Sequence, residues 1–225
     1  MAANPFKPAL IIVDFQEDFC PPNGALAVPS GRAIANLINS LLALPFALKI
    51  ATRDWHPPAH VSFASNHPSA APFTSRAAIH HPSDPSRSYT TTLWPVHCVQ
   101  DTPGAQLVPE LDLSRVHLVV DKGQDPRVEM YSAFHDPFRV SDSGLASKLK
   151  DHHITHVYVV GLAADFCVRA TAQDAADQGY KTYIVEEATK PVMPDTWEQC
   201  KQGIMAGGVE IIPIHGDQVA RVKAL

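Results

Sequence analysis

The chain has 225 residues, enough for one domain with a sizeable core or for two small ones. It is 45% hydrophobic and 18% charged with a formal net charge of −5, the composition of a soluble globular protein and a poor match for nucleic acid or an anionic membrane as partner. Cys20, Cys98, Cys167 and Cys200 lie far apart with no C-x-x-C pair, which points to reduced thiols in the cytoplasm and away from a disulfide framework. The N-terminal Met-Ala-Ala-Asn-Pro lacks the basic-then-apolar order of a secretory signal, and the apolar run from Leu41 to Leu48, interrupted by Pro45, is too short to span a bilayer.

Residues 9–13, Ala-Leu-Ile-Ile-Val, form a continuous apolar run ending at Asp14, the pattern of a strand buried on both faces. Residues 16–30 carry Pro21, Pro22, Gly24 and Pro29 and read as loop. Ile34, Leu37, Ile38, Leu41 and Leu42 then fall at helical spacing over 31–44, stopped before Pro45. A second strand over 48–52 runs into Asp54-Trp55-His56. From about 54 to 110 the chain is rich in proline and histidine with little periodicity, and a stretch of that length reads as an active-site insertion in one domain. Further strands are predicted at 116–120, 157–161, 181–185 and 209–214, with helices at 144–150, 167–178 and 195–205. This alternation predicts an α/β protein, three-layer α/β/α around a mainly parallel central sheet, with its ligand site beyond the carboxyl ends of the strands. Asp14, Asp54, Lys122 and the turn before Cys167 each follow a strand end.

Cys167 is predicted to open a helix, where free N–H groups and the dipole favour thiolate and would stabilise an oxyanion. A thiolate nucleophile needs a proton acceptor and a neighbouring cation, roles open to Asp14 and Lys122. Taken singly, the three are more readily read as a buried small apolar residue, a strand-end turn carboxylate and a solvated lysine. Asp54 and His56, two apart on an extended segment, point the same way. With His97 they offer one carboxylate and two imidazoles, a donor set for Zn²⁺ that Mn²⁺ or Fe²⁺ would also accept. The remaining histidines, His60 among them, read as surface or packing residues.

Val13-Asp14-Phe-Gln-Glu-Asp-Phe19, Thr52-Arg-Asp54-Trp-His56-Pro, Trp94-Pro-Val-His97-Cys, Lys122-Gly and Gly161-Leu-Ala-Ala-Asp-Phe-Cys167-Val occur in one order over residues 8–214. Together they resemble the nicotinamidases, of the isochorismatase-like cysteine hydrolases, with a Rossmann-like fold. The resemblance implies hydrolysis of nicotinamide to nicotinic acid and ammonia in NAD salvage, with catalytic Asp14, Lys122 and Cys167 and a thioester on Cys167. It implies metal binding, usually of zinc, by Asp54, His56 and His97, and contact of that metal with the pyridine nitrogen. It also implies a cis peptide between Leu162 and Ala163 that turns the Ala163 N–H, with that of Cys167, toward the oxyanion, and a ring pocket walled by Phe19, Trp94 and Tyr131. Where some of the family place a further acidic or histidine ligand after the D-x-H element, Val61-Ser62-Phe63 offers only Ser62, through a water.

Another isochorismatase-like amide hydrolase and a non-catalytic metal- or thiol-binding scaffold are the alternatives. Isochorismatases lack the nucleophilic cysteine, other relatives generally lack the D-x-H plus histidine set, and this chain has both. The expected setting is cytoplasmic, with room for a nuclear or peroxisomal fraction delivered by a partner, and a homo-oligomer is compatible with the reading.

Overall fold

A computed structural model describes residues 6–225; the N-terminal stretch read above for a secretory signal lies outside the described residues. β1 (Pro8–Val13) is buried along its whole length. A 3₁₀ turn at Gly31–Ile34 leads into α1 (Ala35–Leu42), which stops short of Pro45, and β2 (Leu48–Asp54) follows. After β3 (Arg76–His81) and β4 (Asp84–Thr92) come β5 (Leu118–Lys122), α2 (Leu145–Asp151), β6 (His156–Leu162) and α3 (Arg169–Asp177). The chain ends with β7 (Lys181–Lys190), α4 (Trp197–Ala206), β8 (Glu210–Ile212) and α5 (Asp217–Lys223).

Six strands form one sheet in the order β5-β2-β1-β6-β7-β8, every pairing parallel. Because side chains alternate across a strand, β1 sends Leu10 and Ile12 into one apolar core and Ala9, Ile11 and Val13 into the other. α1 and α5 cover the first through Ile38, Leu41, Val219 and Val222. α2, α3 and α4 cover the second through Leu149, Ala172, Ala175 and Ile204. The layers are α/β/α, as predicted. Chain direction across the sheet reverses between β1 and β6, and at such a switch point the strand ends splay into a crevice.

Several local expectations shift. The stretch read as irregular carries the β3–β4 hairpin, whose outward face is solvated, so no apolar alternation betrays it. The strand predicted at 116–120 is displaced to Leu118–Lys122, because its register pairs Lys122 with Asp54. The last strand is only Glu210–Ile212, and α5 beyond it was not foreseen. Cys167 does not open α3: it sits within a π-helical turn, Ala164–Val168, that precedes it.

Candidate active site

Four neighbouring strands deliver the site. β5 ends at Lys122, β2 at Asp54, β1 runs into Asp14, and β6 runs into the turn that holds Cys167. The close approach of β1 and β6 depends on Gly161 (φ +104°), where a Cβ would meet the Val13 carbonyl oxygen at 2.1 Å. Asp14 itself is left-handed (φ 45°), which costs a non-glycine residue about 1–2 kcal/mol. Thr52 offsets this by accepting the Asp14 N–H at 3.1 Å and donating its hydroxyl to Oδ1 at 2.6 Å. Buried Gln16 fixes Asp54 by bonding both its N–H and its carbonyl, each at 2.8 Å.

The Lys122 ammonium is fully enclosed. It lies 2.5 Å from Asp54 Oδ1, 3.0 Å from Asp14 Oδ2, 3.1 Å from the Met130 carbonyl and 3.5 Å from Cys167 Sγ. Burial opposes its charge, but the two carboxylates hold its pKa well above the ordinary lysine value. One ammonium cannot fully compensate two buried carboxylates. Burial alone would lift Asp54, yet Lys122 and the neighbouring imidazoles hold it well below the usual carboxylate range. Asp14 yields instead: burial, with Asp54 beside it, pushes it up to about 6 against the pull of Lys122.

The thiol of Cys167 lies beside the Asp14 carboxylate: a carboxylate oxygen of each aspartate and Sγ lie within 4.8 Å of one another. Burial pushes this thiol up, Lys122 opposes, and Asp14 and Asp54 add to the rise. The expectation of a thiolate at a helix N-terminus is thereby corrected. The residue is not at that terminus, and burial, with the two carboxylates, outweighs the pull of the ammonium. At rest the pair is a protonated thiol beside an ionised acceptor.

Asp54, His56 and His97 converge with their donor atoms within 4.8 Å of each other, all buried. His56 Nδ1 is engaged by the Gly123 carbonyl at 2.8 Å and His97 Nδ1 by that of Pro95 at 2.7 Å. Both Nε2 atoms therefore face Asp54 Oδ2, at 3.5 and 3.9 Å. Gly123 (φ +68°) is required here, since a Cβ would lie 2.5 Å from the His56 ring. His97 is carried in from the long insertion by a bridge in which the Cys98 carbonyl accepts His56 N–H and Gln100 N–H returns to the His56 carbonyl. Burial, with the charge of His56, pushes His97 down to about 4.

Two residues escaped the sequence reading. His60 is not at the surface: it is buried and stacked on His56 with ring centroids 3.9 Å apart. Its Nδ1 meets Ser62 Oγ at 2.7 Å, leaving Nε2 without a well-formed hydrogen bond among the described residues. Glu129 is buried beside it and completes a second donor group with His56 and His60; burial pushes its carboxyl up to about 7. A histidine four residues beyond the D-x-H element was the available signal for His60; nothing in the local sequence marks Glu129. These donors fit a divalent cation: carboxylate and imidazole, with Nδ1 atoms satisfied elsewhere and an orphaned imidazole nitrogen behind.

Phe19, Trp94 and Tyr131 line a chamber together with Leu26, Asp54, His97, Ala163, Phe166, Cys167 and Val192. The Trp94 indole donates to the Tyr131 hydroxyl at 2.9 Å, and Phe166 packs edge-on to Trp94. The cavity measures about 20 Å³, room for about one water. The Leu162–Ala163 peptide is cis, and the N–H groups of Phe166 and Val168 both donate to the Ala163 carbonyl at 3.1 Å.

A parallel α/β sheet with a cysteine, lysine and aspartate at its switch point defines an isochorismatase-like hydrolase, and residues 8–215 match the model of the isochorismatase domain. The nicotinamidase of Acinetobacter baylyi is 42% identical over 205 residues, covering 91% of each chain. The crystal structure of the yeast nicotinamidase bound to the inhibitor nicotinaldehyde superposes with a TM-score of 0.87 at 37% identity, over 92% of this chain and 99% of that one. The pyrazinamidase of Pyrococcus horikoshii in complex with zinc gives a TM-score of 0.72 at 34% identity, over 92% and 99%. The chain belongs to the isochorismatase family, on its nicotinamidase branch.

Proposed function

We propose that the protein is an amidohydrolase that converts nicotinamide and water to nicotinic acid and ammonia, in NAD salvage. The observation that carries this is the contact of Cys167, Asp14 and Lys122 beside the Asp54, His56 and His97 set. Asp14 accepts the thiol proton as Cys167 Sγ attacks the amide carbon, and passes it to the departing ammonia. The acyl group remains as a thioester on Sγ. Asp14 then takes a proton from the attacking water, and the tetrahedral adduct collapses to nicotinic acid and free thiol. Lys122 holds negative charge on Sγ and keeps the two carboxylates in place. The N–H groups of Ala163 and Cys167 receive the oxyanion. Phe19, Trp94 and Tyr131 sandwich and orient the ring.

Asp54, His56 and His97 hold a divalent ion, with His60 and Glu129 behind them. Zinc is the ion proposed, as in the Pyrococcus relative, and Mn²⁺ or Fe²⁺ would satisfy the same donors. When bound, it supplies a Lewis-acid anchor for the pyridine nitrogen, so that its value is positional. The 54–110 insertion, within a single domain, is what brings His56 and His97 to the sheet.

The test is ammonia release from nicotinamide by the protein, by Cys167→Ala, and by a chelator-treated sample before and after added Zn²⁺. Loss in the variant and zinc-dependent recovery are expected. No release from reduced, metal-replete protein would overturn the reading, and turnover that survives prolonged chelation would remove the anchor.

A further inference from the structure

The β3–β4 hairpin is solvated on one face and anchored to the site on the other. Tyr89 and Thr91 stand two apart on β4 and share its inner face, opposite Ile79 and Ala77. Ser88 and Thr90 lie on the outer, exposed face. The Tyr89 hydroxyl accepts the Glu129 N–H at 2.8 Å and donates to the Glu129 carbonyl at 3.2 Å, engaging both backbone polar groups of one residue. Thr91 Oγ1 lies 2.9 Å from the Tyr131 hydroxyl. Since the Trp94 indole can only donate to that hydroxyl, the phenolic proton is available to Thr91.

The clamped residues Glu129 and Tyr131 flank Met130, and each of the three presents a different group to the site. Glu129 places its carboxyl beside His56 and His60, Met130 gives its carbonyl to Lys122 at 3.1 Å, and Tyr131 forms the ring wall. They lie in an irregular segment between β5 and α2, which has no ladder of its own to set its height over the sheet. The geometry points to Tyr89 and Thr91 as positioning residues of the reaction, with the hairpin as the clamp that fixes the ring wall and the Lys122 acceptor. This rests on nicotinamide hydrolysis as the activity. Thr91 acts through Tyr131 on ring binding, which ground and transition states share. Tyr89 acts through the Met130 carbonyl on Lys122, which matters as charge develops on sulfur.

Steady-state kinetics on nicotinamide separate the two. Thr91→Val is expected to raise KM about fivefold to tenfold with kcat within about twofold, and Thr91→Ser to restore it. Tyr89→Phe is expected to lower kcat about tenfold with little change in KM. Thr90→Val, the same chemical change on the outer face, leaves both constants unaltered. Wild-type constants in both Thr91→Val and Tyr89→Phe would overturn the clamp. So would a Thr90→Val effect equal to that of Thr91→Val, or failure of serine to rescue. A wild-type protein that released no ammonia would instead bring down the functional reading, and the clamp's kinetic role with it.

Discussion

Lys122 holds together two carboxylates and a thiol that would otherwise repel a shared negative charge. Replacing it by methionine leaves Asp14 and Asp54 facing each other without compensation, so Asp14 is expected to bind its proton more tightly still. The predicted result for Lys122→Met is a fall in kcat of about 10³ or more, in line with loss of a group that holds charge in the transition state. The acid limb of the residual rate moves to higher pH, and an unmoved limb in a pH–rate profile would contradict the coupling. In the wild type that limb is expected near pH 6, because Asp14, the base proposed above, is pushed up to about 6 and can accept a proton only when ionised. Its effect on stability has the opposite sign. With a folded value above the unfolded one, this carboxyl stabilises the native state most below about pH 4 and loses that contribution as pH rises through 6. Parallel rate and urea-denaturation profiles should show the two trends diverge.

Gly161 and the turn after it join β1 and β6 at the switch point. Gly161→Ala forces a Cβ onto the Val13 carbonyl at a backbone angle that alanine disfavours, and should cost about 2–4 kcal/mol or separate the strands. A denaturation midpoint within error of wild type would show that the approach of β6 to β1 is less constrained than described. What the sequence made legible follows from periodicity. The apolar runs of β1, β2 and β6 are buried on both faces and announce themselves, and the polar residues at their carboxyl ends locate the rim. The hairpin stayed hidden because Ser86, Arg87 and Ser88 face water and only Ile79 and Thr91 are buried. Asp14, Asp54 and Lys122 were legible from strand ends. The burial of His60 and Glu129 was not, since it depends on the segment around Pro126 and Glu129 closing over the loop after His56, where the Val61 N–H donates to the Pro126 carbonyl, a contact far apart in sequence.

The whole molecule should respond to metal at the buried Asp54, His56 and His97 cluster. No helix of the described residues is long and apolar enough to cross a membrane. Zinc at about a hundred times its dissociation constant adds roughly 2.7 kcal/mol to the native state, or roughly 5–10 °C in Tm for a chain of this length. The increment should vanish in Asp54→Ala; a Tm indifferent to zinc in the wild type would argue against the site. The narrow chamber has a further consequence, in time. A cavity of about 20 Å³ is too small for a pyridine carboxamide unless side chains of its lining shift. Capture of the ring then depends on how often that lining moves aside. If the open form were about one molecule in a hundred, apparent affinity would be weaker than intrinsic affinity by about a hundredfold. Substitutions that trim the wall would then quicken capture and release while loosening the grip that aligns the amide with Cys167.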